Sequence, residues 1–198
     1  MRKMVINGIL IAMAIVISYF ERMIPLDVFI PLPGIKLGLA NIVTLFALFC
    51  LGIQSSFFIT LVRCIVVSLL FGSLTSLIFS LTGGMLALTV MILLRFGYPM
   101  FFSMIGISVG GAAAHNTGQI LAASLMLKST AVFGYLPFLL LSSLITGVIT
   151  GVAAKSLLQH MSKIPVFDNV MADWHKSCES DTEKADLKGR DGHYASNR

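Results

Sequence analysis

His115, Asn116 and Gln119 stand in the stretch GGAAAHNTGQ (110–119), after five small residues and with no charged residue in the stretch. The run around them is apolar enough for a membrane span, and lipid offers an imidazole or a carboxamide no hydrogen-bond partner. On a helix, His115 and Gln119 are i,i+4 and Asn116 and Gln119 are i,i+3, so all three share one flank. The chemistry open to them is hydrogen bonding, to a ligand or across to another helix. Bridging of the second kind is worth about 0.6 kcal/mol per side chain. The small residues before them let a ligand or a neighbouring backbone approach closely. Lys36 and Asn41, in PGIKLGLAN (33–41), add a cation and a further amide. Arg63 is the sharpest anomaly, because inserting a guanidinium near the middle of an apolar helix costs about 2.5–3.5 kcal/mol. It must face the interior of a bundle. No acid is expected at its depth, which leaves carbonyls, polar side chains, water or the negative group of a substrate as partners. An anchor and a ligand clamp are equally open.

Other chemistries lack their residues. No G-x-x-x-x-G-K-[ST] run is present, so any ATP dependence must come from another chain. Extending a prenyl chain requires a diphosphate held by divalent metal on clustered carboxylates. The membrane part offers only Glu21 and Asp27 for this, while Asp168 and Asp173 are isolated near the C-terminus. The three cysteines, Cys50, Cys64 and Cys178, show neither zinc-type pairing nor an even count for a disulfide framework. His175-x-x-Cys178 is half a metal site. The sequence assigns no catalytic residue, no metal site and no cofactor.

The elements that must position these side chains are helices in a bilayer. The chain of 198 residues is 57% hydrophobic and 12% charged, with a mean hydropathy of +0.91, against roughly 25% charged residues in soluble domains. Residues 1–164 carry nine Lys/Arg but only two acids, and the other seven acids lie in 165–198. The expectation is an all-α polytopic membrane protein, a six-helix transmembrane bundle over 1–164 with a disordered cytoplasmic tail over 165–198. The net charge of +5 is no nucleic-acid footprint, since the bases sit mainly at segment ends and face the lipid bilayer surface.

Six spans are expected near 4–23, 35–51, 55–71, 74–94, 99–127 and 131–158. The first is a retained helix, because Glu21, Arg22 and Pro25 follow it where a signal peptide would have a small-residue cleavage site. The stretch IPLDVFIPLPGI (24–35) reads as a structured loop. The fifth segment is long enough that it must tilt, protrude or break near Gly110-Gly111. Five bases flank one side (Arg2, Lys3, Arg95, Lys155, Lys163) and three the other (Arg22, Lys36, Lys128), which places both termini in the cytoplasm of a cell-membrane protein. On that orientation Glu21 lies near the outer surface, Lys36 at the rim and Asn41 about 7 Å below it. His115, Asn116 and Gln119 fall in the outer half of the fifth helix. Lys36, Asn41, Arg63, His115, Asn116 and Gln119 are therefore the candidate substrate-binding residues, the amides and His115 lying under the proline-rich loop. Gly8-x-x-x-Ala12, Ala14-x-x-x-Ser18 and Gly147-x-x-x-Gly151 are close-packing patterns, within the bundle or against another membrane protein.

PGIKLGLAN (33–41), SLLFGSLTS (68–76), SLTGG (80–84) and GISVGGAAAHNTGQ (106–119) resemble, in order, the Gx transporter family. Many of its members also carry the label heptaprenyl diphosphate synthase component I. Thr117 departs from the family's apolar preference at that position and leaves the polar positions intact. The family is similar in outline to the substrate-binding S components of energy-coupling factor transporters. That likeness implies six helices, a pocket near the outer face capped by the first loop, and small residues on the early helices, here Gly8, Ala12, Ala14 and Ser18, docking a transmembrane coupling subunit driven by ATPases. It identifies no substrate. Two functions of different class follow. One is a membrane subunit binding and translocating a small, anionic molecule. The other is a noncatalytic membrane component associated with heptaprenyl diphosphate synthesis, with a purely structural assembly factor as a third.

Overall fold

The computed structural model describes residues 2–23, 38–98 and 100–161. They form six helices, α1 (Arg2–Arg22), α2 (Asn41–Cys50), α3 (Ile53–Phe71), α4 (Leu74–Arg95), α5 (Met104–Leu127) and α6 (Leu136–Met161), with a 3₁₀ turn, Thr130–Tyr135, leading into α6. Lys36, Asp27, the loop at 24–35 and the tail at 165–198 lie outside the described residues.

Four segments are long and apolar enough to cross a membrane: Met4–Glu21, Ile53–Phe71, Leu74–Arg95 and the 3₁₀-α6 unit Thr130–Met161. Their outward faces carry large apolar side chains, such as Val5, Ile9 and Phe20 on α1, Phe57, Phe58 and Leu69 on α3, and Leu141, Ile145 and Ile149 on α6. Water would not tolerate so much exposed apolar surface, and lipid would. The chain is a membrane-spanning protein.

The remaining two helices differ from the expected spans. The second was expected over 35–51 but α2 is only ten residues, about 15 Å, and nine of the ten are buried. Gly38, with φ of +83°, and the turn at Leu39-Ala40 stop it from extending backwards. It is a core helix, almost wholly buried because α1, α3, α4, α5 and α6 all pack around it. The fifth, α5, starts at Met104 rather than 99, where the Ser103 hydroxyl caps it by accepting the Gly106 N–H at 3.1 Å. At 24 residues it is long enough to span, yet its Gly, Ser, Thr, His, Asn and Gln keep it out of the strongly apolar class. It runs unbroken through Gly110-Gly111. A methyl group at those positions would collide with Leu94 and Met91 of α4, so the glycines admit a neighbour and do not break the helix. In α6 the proline, Pro137, falls in the first turn, where its missing N–H costs nothing.

Two apolar clusters mark the ends of the bundle. Leu10, Leu48, Met91, Ile107 and Leu158 meet at one end, drawn from the first half of α1, the end of α2, the end of α4, the start of α5 and the end of α6. Phe79, Ile120, Ala123 and Leu139 meet at the other. The two ends of the described chain thus lie at the same end of the bundle, as six alternating helices require. Arg95 fixes that end: its guanidinium donates to the Leu48 carbonyl at the end of α2 and lies 5.3 Å from the centre of the Phe49 ring.

Candidate functional site

The site begins where the chain turns into α2. The Gly38 N–H donates to the Glu21 carboxylate, which is only 3% exposed near the end of α1. A methyl at Gly38 would lie 3.0 Å from the Asn41 Nδ2 and 3.1 Å from the His115 Cδ2. Positive φ and this wedge between an amide and an imidazole both demand glycine there. The turn then starts α2 by 3₁₀-type bonds, Asn41 N–H to the Gly38 carbonyl at 2.9 Å and Ile42 N–H to Leu39 at 3.1 Å. Both polar atoms of the Asn41 side chain are buried and have no hydrogen-bond partner among the described residues.

Beside this turn lies a cavity of about 10 Å³, room for one water molecule. Its wall comes from Ser18 and Glu21 of α1, Gly38, Arg63, Cys64 and Val67 of α3, Ser80 of α4 and His115 of α5. Arg63 is 5% exposed, and its Nε and Nη2 have no hydrogen-bond partner among the described residues. Gly84 makes space for it: a methyl there would lie 3.1 Å from the Cys64 Sγ and 3.5 Å from the Arg63 Nη2. The Cys64 thiol donates to the Ser80 carbonyl at 3.1 Å, tying α3 to α4 beneath the guanidinium.

The three polar residues of α5 divide between two roles. His115 lines the cavity, and its Nε2 lies 3.1 Å from the Gln119 Nε2 one turn on. Close contact with α4 holds this pair in place, since a methyl at Gly83 would lie 2.9 Å from the His115 carbonyl oxygen and 3.1 Å from the Gln119 Cγ. Asn116 faces elsewhere. Its Nδ2 donates to the Leu139 carbonyl of α6 at 2.9 Å, a bond between helices at a point with no solvent exposure. Of the candidate residues, Arg63 and His115 are thus brought together, with Asn41 and Gln119 next to them, and Asn116 is placed apart.

The small residues of α1 also divide. Gly8 and Ala12 are exposed on the outer face, and Gly8 has no neighbour near its missing side chain. Ala14 and Ser18 are buried in the bundle, Ser18 on the cavity wall. Gly147 and Gly151 serve internal packing, where methyl groups would strike the α5 backbone at Val109 and Ile105.

Sequence reasoning put no acid at the depth of Arg63. The structure places Glu21 on the same cavity wall. The sequence reading set Glu21 near the outer surface, at the end of the first helix, and Arg63 near the middle of the third, whereas one cavity reaches both and the turn at 38–40 bonds to Glu21 there. An acid in the last turn of an apolar helix, next to Arg22, was the available signal. Ser18 and Ser80 had no signal distinguishing them from packing residues. Among the described residues no three His, Cys, Asp or Glu side chains are grouped as metal ligands.

A membrane bundle whose buried polar groups meet around a small cavity is, by class, a polytopic helical membrane protein with an internal polar site. Residues 10–157 match the family model described as heptaprenyl diphosphate synthase component I, and the chain belongs to that family. No curated protein and no solved structure matches it.

Proposed function

We propose that the chain is a substrate-binding and translocating membrane subunit for a small molecule carrying an anionic group. On this proposal it works in the manner of an S component, energised by partner proteins docked on its lipid-facing helices. Arg63 carries the proposal. A buried guanidinium with two unpartnered nitrogens among the described residues, facing a cavity, is a costly arrangement that a negative group would relieve. Asn41 adds an unmet amide next to Gly38 on the cavity wall. The cavity has room for about one water, so on this proposal a ligand binds in a form whose α1, α3 and α5 walls stand further apart. Gly8 and Ala12 present the outward small-residue surface on which a coupling subunit would dock. Ala14 and Ser18 lie behind it.

The test is mass spectrometry of small molecules released from the full chain purified in detergent. An acidic small molecule retained by the wild type and lost in Arg63→Leu is the expected outcome. Equal retention by a folded Arg63→Leu protein, or no retained molecule at all, overturns the proposal. The family description favours one second reading, a noncatalytic component of heptaprenyl diphosphate synthesis. Recovery of a prenyl diphosphate in the same experiment would select it.

A further inference from the structure

We infer that the ligand of the Arg63 cavity is a compact acid that also carries an amide edge, an N–H and a C=O side by side, which the Asn41 carboxamide reads. This class of ligand rests on the substrate-binding proposal above and narrows it, and it depends on no total of charge around the cavity.

The Asn41 side chain has neither of the structural uses open to it. At the start of a helix an asparagine commonly caps, its side chain accepting a free backbone N–H. Here Ala40 holds the cap position of α2, no side chain caps the helix, and the Asn41 backbone N–H is bonded to the Gly38 carbonyl. Within a membrane bundle the other common use is a bond between helices. Asn116 makes one, to Leu139, whereas Nδ2 and Oδ1 of Asn41 both lack a partner among the described residues, at 3% exposure. A buried amide in that state has lost its water and gained no bond, where an apolar residue of the same size would carry no such cost.

Its position joins it to Arg63. Gly38 lines the cavity, and a methyl on it would lie 3.0 Å from the Asn41 Nδ2. Gly38 thus has no side chain to stand between the amide and the cavity. Arg63, 5% exposed on the same wall, holds its Nε and Nη2 unmet among the described residues. That edge of a guanidinium takes two oxygens of an acidic group in parallel. Asn41 can do the same with an amide, Nδ2 donating to the ligand carbonyl while Oδ1 accepts the ligand N–H. A second carboxylate would serve the donor but set its charge against Oδ1, and an alkyl end would serve neither. A carboxamide, lactam or imide meets both atoms in one plane.

The experiment is thermal melting of the full chain in lipid nanodiscs, titrated with three acids of equal chain length: succinamate, succinate and butanoate. All three offer Arg63 a carboxylate, and only succinamate offers Asn41 an amide. The rise of the midpoint with concentration gives the affinity of each, since a ligand that binds the folded state stabilises it. Succinamate should bind at least about tenfold more tightly than the other two, as a pair of buried hydrogen bonds to the ligand requires. Asn41→Leu should remove that advantage and leave butanoate binding as it was. Equal affinity for the three acids, a preference for succinate, or an amide advantage that survives in Asn41→Leu overturns the amide edge and leaves the anion-binding proposal standing. No response to any of the three also overturns the amide edge, and the anion-binding proposal falls with it only if the purified protein retains no acidic molecule. Were Asn41→Leu unable to fold, the comparison of the three acids on the wild type would still decide.

Discussion

Asn116 and Arg63 show how two buried polar residues of similar rarity in a membrane acquire opposite expectations for ligand binding. Asn116 spends its amide N–H on the Leu139 carbonyl. Asn116→Leu should therefore lower the melting stability of the bundle, by about 0.6–1.7 kcal/mol on the scale of interhelical hydrogen bonds in membranes, while ligand-induced stabilisation survives. The Asn116 Oδ1 has no partner among the described residues, and on Arg63 two guanidinium nitrogens are likewise unmet, but Arg63 has no interhelical bond of the Asn116 kind and faces the cavity. Removing one of two opposite buried charges leaves the other uncompensated, and Glu21 lines the same cavity wall. Arg63→Leu should therefore lower the melting midpoint as well as lose ligand binding, and Arg63→Lys should keep part of both, having the charge without the planar fork. Melting curves with and without bound ligand separate the two residues, and a ligand effect lost in Asn116→Leu but kept in Arg63→Leu would reverse the assignment. The sequence made His115, Asn116, Gln119 and Arg63 visible because polar groups in an apolar run must find partners. It could not show which way each points. His115 and Asn116 are adjacent in sequence and about 100° apart around the helix, and only packing against α4 and α6 decides that one meets the cavity and the other a backbone carbonyl.

Helix lengths were legible wherever lipid sets them and illegible where the core does. For α1, α3 and α4 the hydrophobic runs match the observed helices to within a few residues, because each must carry its backbone across the bilayer with its own hydrogen bonds. α2 breaks that rule by being enclosed in protein, so its length is set by Gly38 and by the Arg95 cap at its far end, neither of which hydrophobicity reports. The small residues of α4 and α5 reveal their purpose only in pairs. A methyl at Gly118 would lie 2.9 Å from the Gly83 Cα and 2.9 Å from the Thr82 carbonyl oxygen, backbone atoms with no freedom to move aside. Gly118→Ala should thus destabilise the bundle by about 1–3 kcal/mol, as overpacking does. Gly8→Ala meets open space on α1 and should leave melting unchanged or raise it slightly through helix propensity. Thermal melting of the two variants side by side checks this, and an undiminished midpoint in Gly118→Ala would mean that α4 and α5 do not cross so closely.

At the scale of the whole molecule, the two apolar clusters sort the connections into two sets. The links 72–73 and 128–129 belong to the end that holds Glu21 and Gly38, and the links 51–52 and 96–103 belong to the opposite end, with the start of α1 and the end of α6. The bundle fixes which links share a side. Which side faces the cytoplasm rests on the distribution of bases, which among the described residues is Arg2, Lys3, Arg95 and Lys155 at one end against Arg22 and Lys128 at the other. Exposed single cysteines at Ser73 and Met100, in a chain carrying Cys178→Ser, would report the orientation through a membrane-impermeant thiol reagent. Ser73→Cys should react in intact cells and Met100→Cys only after permeabilisation. The opposite pattern would turn the cavity toward the cytoplasm. The Glu21–Gly38 contact and Arg63 lie in the half of the bundle nearest the Ser73 link, so on the substrate-binding proposal the labelling result also assigns the side from which a substrate would enter. Labelling of Ser73→Cys from outside would then fit a receptor for molecules beyond the membrane, and the reverse a collector of cytoplasmic ones.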